Sequence, residues 1–344
     1  MALLESPTGP TLAPHLPKVD LHRHLEGAVR LSTVLEISQR RGLPLPAADV
    51  SGLERHARIQ EPTGDILLLL PKFDLLRQVF VDYETCRRIT WECLEDAAAE
   101  GLDYLELRFS PLFMAEPHGL NPSAVASAVC EAWQESRGRL PVESRLVTIL
   151  SRTYGAEACA LELEAARSHR DRGIAGLDLA GDEARHPAAE FAALFDRARE
   201  AGLRLTAHAG EFAGAESVRQ TVLALRPDRL GHAVHAVDDP SVLDLIAGRG
   251  IAVECCPTSN VLTASVASYA AHPLPAFLRR GICTTLNTDD PSLMGGLRLE
   301  DEYRTARGAM GLTRAELDQV QRNGLEAAFL SRAERISLRE KIAR

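Results

Sequence analysis

Lysine is nearly missing from this chain, occurring only as Lys18, Lys72 and Lys341 among 344 residues. None of the three stands at the C-terminal end of a strand-like run. Schiff-base catalysis, which needs an inward-facing amine, is therefore disfavoured. A carboxylated lysine bridging two metal ions has no candidate either, because Gly181-Asp182-Glu183 stands where it would be needed. Positive charge is short as well: 39 basic against 48 acidic residues give a formal charge of -9. Such a surface repels nucleic-acid phosphates and anionic membranes, and it favours small neutral or cationic ligands. The longest aliphatic run, 66–70, falls far short of the roughly 20 residues that span a bilayer. Residues 1–17 have neither the basic start nor the apolar stretch of a secretion signal. Seven cysteines (Cys86, Cys93, Cys130, Cys159, Cys255, Cys256, Cys283) are odd in number and never spaced as Cys-x-x-Cys, a pattern of reduced, buried thiols in the cytoplasm. Cys255 and Cys256 adjoin, but neighbours on a strand face opposite ways.

What is present is an ordinary globular composition, 45% apolar, long enough for one barrel-sized domain or two smaller ones. Eight strand-like runs occur, at 18–24, 103–109, 144–150, 174–180, 203–208, 229–232, 251–255 and 282–288. Between them lie helical stretches, of which 83–100, 122–137, 157–172, 187–201 and 240–249 each precede a glycine-containing turn. Strands alternating with amphipathic helices argue a parallel sheet, and eight of them argue a closed (β/α)8 TIM barrel. The expectation is a single barrel domain over 1–344, since no internal repeat competes. Two excursions exceed the roughly 250 residues of a minimal barrel. A helical insertion at about 30–80 passes through Pro44 and Pro46 and is expected to cover the pocket mouth on the C-terminal face. Helices from about 298 are expected to pack outside.

The polar residues cluster where these runs end. In Val19-Asp20-Leu21-His22-Arg23-His24, side chains two apart share a face, so both imidazoles point one way. Two imidazoles at that spacing make a metal pincer, and a third with a carboxylate from distant strands completes a mononuclear zinc-type shell with one position open. His208-Ala209-Gly210-Glu211, Gly231-His232 and Asp289-Asp290 close later runs. The glycine before Glu211 permits a sharp turn, so that carboxylate can reach over a metal without ligating it. Adjacent acids at a buried strand end repel unless a cation or hydrogen-bond donor offsets them, although Asp290-Pro291-Ser292 also resembles a helix start. His15, His56, His118, His169, His186, His235 and His272 are read as structural.

Seven stretches in this order resemble the adenosine/adenine deaminase family of the amidohydrolase superfamily, over about 17–329. They are Pro17-Lys18-Val19-Asp20-Leu21-His22-Arg23-His24-Leu25-Glu26-Gly27, Glu106-Leu107-Arg108-Phe109-Ser110-Pro111, Asp178-Leu179-Ala180-Gly181-Asp182-Glu183, His208-Ala209-Gly210-Glu211, Arg229-Leu230-Gly231-His232, Cys256-Pro257-Thr258-Ser259-Asn260 and Asn287-Thr288-Asp289-Asp290-Pro291. The resemblance implies one Zn²⁺ per chain, held by His22, His24, His208 and Asp289, with hydroxide attacking C6 of a 6-aminopurine. It implies that Asp289 takes the water's proton, that His232 orients the hydroxide, and that Glu211 protonates purine N1. It sets His24, Glu26, Gly181 and Asp290 against the substrate, with the Gly181 amide at N3 and Asp290 at N7. Two acceptors cannot share a bond without a proton, so either Asp290 or N7 must carry one. Glu26 stands where adenosine deaminases usually carry the Asp that reaches the ribose 5′-hydroxyl. The substrates implied are therefore adenosine or 2′-deoxyadenosine first, a 5′-substituted adenosine such as aminodeoxyfutalosine second, and free adenine third. The expected partner is a small purine nucleoside, with no nucleic acid and no membrane, for a cytoplasmic monomer or homodimer. A non-catalytic purine-binding barrel, or the same metal site acting on another substrate, are the other readings.

Overall fold

The computed structural model describes residues 11–342; the first ten residues of the stretch read as lacking a secretion signal, and the last two of the tail, lie outside them. Eight strands form one parallel sheet in sequential order: β1 (Val19–His24), β2 (Tyr104–Phe109), β3 (Glu143–Ser151), β4 (Ile174–Ala180), β5 (Arg204–Ala209), β6 (Arg229–His232), β7 (Ala252–Cys255) and β8 (Thr284–Leu286). Helices cover the outside and side chains fill the axis, so strands are buried on both faces; every residue of β2 and β6 is buried. β8 stops short of the 282–288 run at Asn287, which keeps a backbone bond to the Cys255 carbonyl at 2.9 Å and adds side-chain bonds to both neighbouring strands. Its Oδ1 accepts from Leu21 N–H at 2.9 Å and its Nδ2 donates to the Cys255 carbonyl at 3.2 Å. Backbone bonds from His24 N to the Asp289 carbonyl (2.9 Å) and from Asp289 N to the His22 carbonyl (2.8 Å) then join the end of the sheet to β1. The seam of the barrel thus closes through the residues that carry the polar clusters.

The five helices read from the sequence are present over Tyr83–Ala99, Pro122–Ser136, Gly155–Ser168, Ala192–Glu200 and Pro240–Gly248. The helix Ala215–Leu225, between β5 and β6, had no glycine stop to mark it. It ends instead on Arg226 in the left-handed conformation at φ 50°. The insertion after β1 folds as helices Leu31–Arg41, Val50–Ala57 and Ile66–Arg77. Asp49 caps the second through Gly52 N and Asp65 caps the third through Leu67 N. The tail forms helices Leu299–Gly308, Arg314–Ala327 and Arg332–Ile342, and these do more than pack outside. Leu325, Ala328 and Leu338 join Val19, Leu21 and Tyr104 in a buried cluster, so the tail plugs the barrel at the end where the strands begin. Phe329 reaches so far in that a Cβ on Gly176 would lie 2.6 Å from its ring. Among the described residues no helix is long and apolar enough to cross a membrane. The seven cysteines are unpaired, Cys283 partly exposed and the rest buried.

Charge, not only aliphatic packing, fills the lower barrel. Arg229, 1% exposed, is paired with Glu106 and Glu254 and stacks 3.4 Å above the Phe329 ring. Its NH1 donates to the Ala327 carbonyl at 2.7 Å, tying the tail to the core. Removing the cation takes the ion pair from buried Glu106 and leaves Glu254 to Arg108. Arg229→Leu is expected to lower the unfolding free energy by about 3–5 kcal/mol, measured by urea denaturation; a loss below 1 kcal/mol would mean the plug, and not the ion pairs, holds this end.

Candidate active site

Three strands leave the sheet through left-handed backbone at the points where their polar side chains must face the axis. Asp289 lies at φ 64°, His232 at φ 62° and Gly210 at φ 66°; the first two are strained for residues that carry a Cβ. β1 turns His22 and His24 to one side as its period requires, and β5 sets His208 beside them, with ring centroids 4.6 Å (His22–His208) and 5.3 Å (His24–His208) apart. His22 Nε2 lies 3.3 Å from His24 Nε2. Asp289 Oδ1 lies 3.4 Å from the first nitrogen and 3.2 Å from the second. An ion bonded tetrahedrally at about 2.0–2.1 Å separates its donors by about 3.3 Å, so these separations fit a zinc-type shell. His232 adds a fourth ring 5.0 Å from both His22 and His208. The donor atoms of His22, His208, His232 and Asp289 all lie within 4.8 Å of one another, a set that overlaps the sequence-read one but exchanges His24 for His232.

Behind two of the rings stand carboxylates. His22 Nδ1 meets Glu254 Oε2 at 2.8 Å and His208 Nδ1 meets Asp178 Oδ1 at 3.1 Å. An ionised carboxylate only accepts, so each ring carries its proton on Nδ1 and turns an Nε2 lone pair inward. Arg108, wholly buried, bridges the pair at 2.7 Å to Asp178 Oδ2 and 2.7 Å to Glu254 Oε2. Burial pushes both carboxyls up. The His208 ring and Arg108 at Asp178, and Arg108 and Arg229 at Glu254, outweigh it and hold both below the usual range.

The remaining acids sort themselves. Burial raises Asp289, but His22, with His232 and His24, outweighs it and keeps that carboxyl well below its ordinary value. Its neighbour Asp290 goes the other way: burial, then Asp289, with Glu26 and Glu211 close by, hold it well above. Asp290 Oδ1 is buried without a hydrogen-bond partner, and a Cβ on Gly27 would lie 1.7 Å from it, so only glycine leaves room for this acid. Glu211 Oε2 lies 3.4 Å from His232 Nε2, and burial, with Asp289 and Glu183 behind it, raises Glu211 well above the carboxylate range. Glu183 shapes that loop: its carboxylate accepts from Gly210 N at 2.6 Å, Glu211 N at 3.1 Å and Phe212 N at 3.0 Å. Glu26 Oε1 accepts from Ser110 N at 2.7 Å while Oε2 is buried and unpartnered. Gly181, at φ 111°, completes the floor; a Cβ there would lie 2.6 Å from Thr153 Oγ1.

These groups open into a cavity of about 330 Å³, within reach of a small-molecule site. Ile66, Leu69, Leu70 and Phe73 of the insertion form its apolar wall. Arg77 at the mouth is neutralised by Asp74 and Glu116, at 2.7 Å each, and lies over the Phe113 ring.

Comparison with known proteins decides the family. The family model described as Adenosine deaminase matches residues 17–344. The chain belongs to the adenosine deaminase family. A protein of Serratia proteamaculans called adenosine deaminase is 46% identical over 95% of this chain and 98% of its own. Among solved structures, adenine deaminase from Arthrobacter aurescens superposes with a TM-score of 0.84 at 26% identity, covering 95% of this chain and 98% of that one. An amidohydrolase from Burkholderia ambifaria with bound Zn gives 0.84 at 27% identity, covering 98% and 94%.

The structure brings every sequence-read site residue, His22, His24, Glu26, Gly181, His208, Glu211, His232, Asp289 and Asp290, to this one cavity or its floor. Sequence reasoning missed the groups behind them. Arg108, Asp178, Glu183 and Asn260 lie in the family-like stretches but received no role; for Arg108 and Asp178 the available signal was a charged residue within an otherwise apolar strand, and for Glu183 and Asn260 only a polar residue in the segment that follows one. His272 was read as structural only, yet it is buried 3.1 Å from Asn260 Oδ1. One pH effect follows. The Glu26 carboxyl, ordinarily near 4.5, is pushed by burial to about 8. Between those values the folded chain holds a proton that the unfolded chain loses, so stability falls as pH rises through the window. Glu26→Gln cannot ionise and should show a smaller Tm decline than the native chain from pH 5 to pH 8, measured by scanning calorimetry; parallel Tm curves would mean Glu26 is ionised throughout.

Proposed function

We propose that this chain hydrolyses the 6-amino group of a purine nucleoside, converting adenosine or 2′-deoxyadenosine to the inosine product and ammonia. The observation that carries the reading is geometric: His22, His24, His208 and Asp289 converge at metal-ligand separations in one cavity that also holds Glu211 and Asp290, both raised by burial and neighbouring acids. His22, His24, His208 and Asp289 would hold one zinc ion, for which the donor separations and the inward lone pairs of His22 and His208 are suited. When bound, such an ion lowers the pKa of water to about 7.

The chain's own residues supply the rest. Asp289, ionised, takes a proton from the attacking water, and neutral Glu211 gives its proton to purine N1, which draws electrons from C6 and lets the oxygen add there. The proton collected on Asp289 passes to the exocyclic nitrogen, which leaves as ammonia. The oxygen's remaining proton restores Glu211 as the C6 carbonyl forms. Neutral Asp290 donates to N7 and the Gly181 amide to N3, so the ring is read without two acceptors meeting.

A nucleoside is favoured over a nucleotide because the mouth's Arg77 is already matched by Asp74 and Glu116, leaving a 5′-phosphate to face acids. It is favoured over free adenine by the relative called adenosine deaminase at 46% identity, against 26% for the adenine deaminase. Glu26 bears on the 5′ end: its extra length is taken up by the Ser110 bond, and Oε2 stays open to a hydroxyl. The same position keeps a 5′-substituted adenosine as the second reading. The setting proposed is a cytoplasmic monomer or homodimer with seven reduced thiols.

An ultraviolet assay of adenosine, 2′-deoxyadenosine, adenine and aminodeoxyfutalosine should find adenosine or its deoxy form fastest and all turnover lost on chelation. Glu211→Gln should lower kcat by about 10²–10⁴-fold with Tm retained. Faster adenine turnover, or an active Glu211→Gln, overturns the substrate or the acid respectively.

A further inference from the structure

Four imidazoles crowd the cavity floor, and the groups behind them sort three of them into two kinds. We infer that Asn260 and His272 are positioning residues that fix the tautomer of His232, making it present an N–H to the cavity and removing it from the set of metal ligands. The inference rests on the function proposed above only for what that N–H serves.

The chain of donors and acceptors begins at the backbone. Leu274 N–H donates to His272 Nδ1 at 3.1 Å. A neutral imidazole with one accepting nitrogen carries its proton on the other, and burial lowers the His272 pKa to about 3, keeping the ring neutral. His272 Nε2–H therefore donates to Asn260 Oδ1, 3.1 Å away. With its oxygen so engaged, the amide turns Nδ2 toward His232 Nδ1 at 3.0 Å. An amide NH₂ has only protons to offer, so His232 Nδ1 accepts and Nε2 carries the hydrogen. That nitrogen faces Glu211 Oε2 at 3.4 Å and Asp289 Oδ2 at 3.9 Å.

Reversing any link breaks the one behind it. Turning the Asn260 amide would set NH₂ against His272 Nε2–H, and turning the His272 ring would leave Leu274 N–H facing carbon. Asn260 itself is held, wholly buried, by its N–H to the Cys256 carbonyl at 2.9 Å and by Ser265 Oγ on its own carbonyl at 3.1 Å. The contrast with His22 and His208 is a matter of what stands behind each ring. A carboxylate takes the Nδ1 proton and leaves a lone pair inward; an amide NH₂ gives a proton to Nδ1 and leaves an N–H inward. Of the four residues whose donor atoms cluster within 4.8 Å, His232 alone is backed by a donor. Its N–H is then a fixed hydrogen-bond donor for the oxygen that attacks C6, where charge develops.

Imidazole ¹⁵N spectra of the zinc-loaded protein, with His232 assigned by its loss in His232→Gln, should show a bare Nδ1 and a protonated Nε2. Asn260→Asp puts an acceptor behind the ring and should invert the two, lowering kcat by about 10²-fold or more with KM little changed. Asn260→Ala, which imposes neither tautomer, should lose less. A purely structural role predicts the reverse order, because Asp is the closer match in shape. His272→Gln, whose amide can still donate to Asn260, should retain more activity than His272→Leu. A protonated Nδ1 on His232 in the native enzyme, or Asn260→Asp no worse than Asn260→Ala, overturns the inference. A native protein inactive on purine nucleosides would sink the proposed function while leaving the spectrum to decide the tautomer.

Discussion

Between the strands that carry His22 and His208, the guanidinium of Arg108 joins Glu254 to Asp178 at 2.7 Å on either side, and each carboxylate holds the outer nitrogen of one imidazole. This guanidinium is wholly buried, and its charge offsets the burial that by itself raises both carboxyls. Were they neutral, they would no longer be obligate acceptors, and the rings would lose the force that turns their lone pairs inward. The orientation of the metal-ready face therefore depends on a cation below it that touches none of the cavity. Arg229 repeats the device lower down, sharing Glu254 and tying in the tail. The barrel axis is a column of alternating charges whose upper end is the site.

The same logic of burial against nearby charge explains why acids a few ångströms apart differ. Asp289 faces the imidazoles and is held low, whereas Asp290 is raised by burial and the acids around it, although the two are adjacent and both buried. Glu211 follows Asp290 because the loop cradled by Glu183 brings it against further negative charge. Carboxyls raised by burial and one held low by the imidazoles thus face the same cavity, an arrangement suited to proton transfer. The left-handed backbone at His232 and Asp289 is part of that arrangement, since it delivers both side chains to the axis at a cost the surrounding packing must meet.

Much of this was legible along the chain. The strand-like runs gave the strands to within about two residues, because apolar residues recur along them even where buried acids, arginines and histidines interrupt. The His22/His24 pair was readable because strand period is fixed by backbone geometry. Less legible was the helix Ala215–Leu225, whose arginine stop lacks the glycine that marks its neighbours. The tail's place under the barrel was hidden too, since an amphipathic helix has the same pattern whichever surface it covers.

What the sequence by itself determined was periodic or local: eight strands and intervening helices, imidazoles on one face, acids at strand ends, and the order of motifs that marks the family. What only the tertiary structure decided was which group stands behind which. Glu254 meets His22 across 232 positions, and His272 reaches His232 only through Asn260. Protonation states and tautomers depend on partners within about 3 Å, and closure of the barrel, not spacing along the chain, sets those distances.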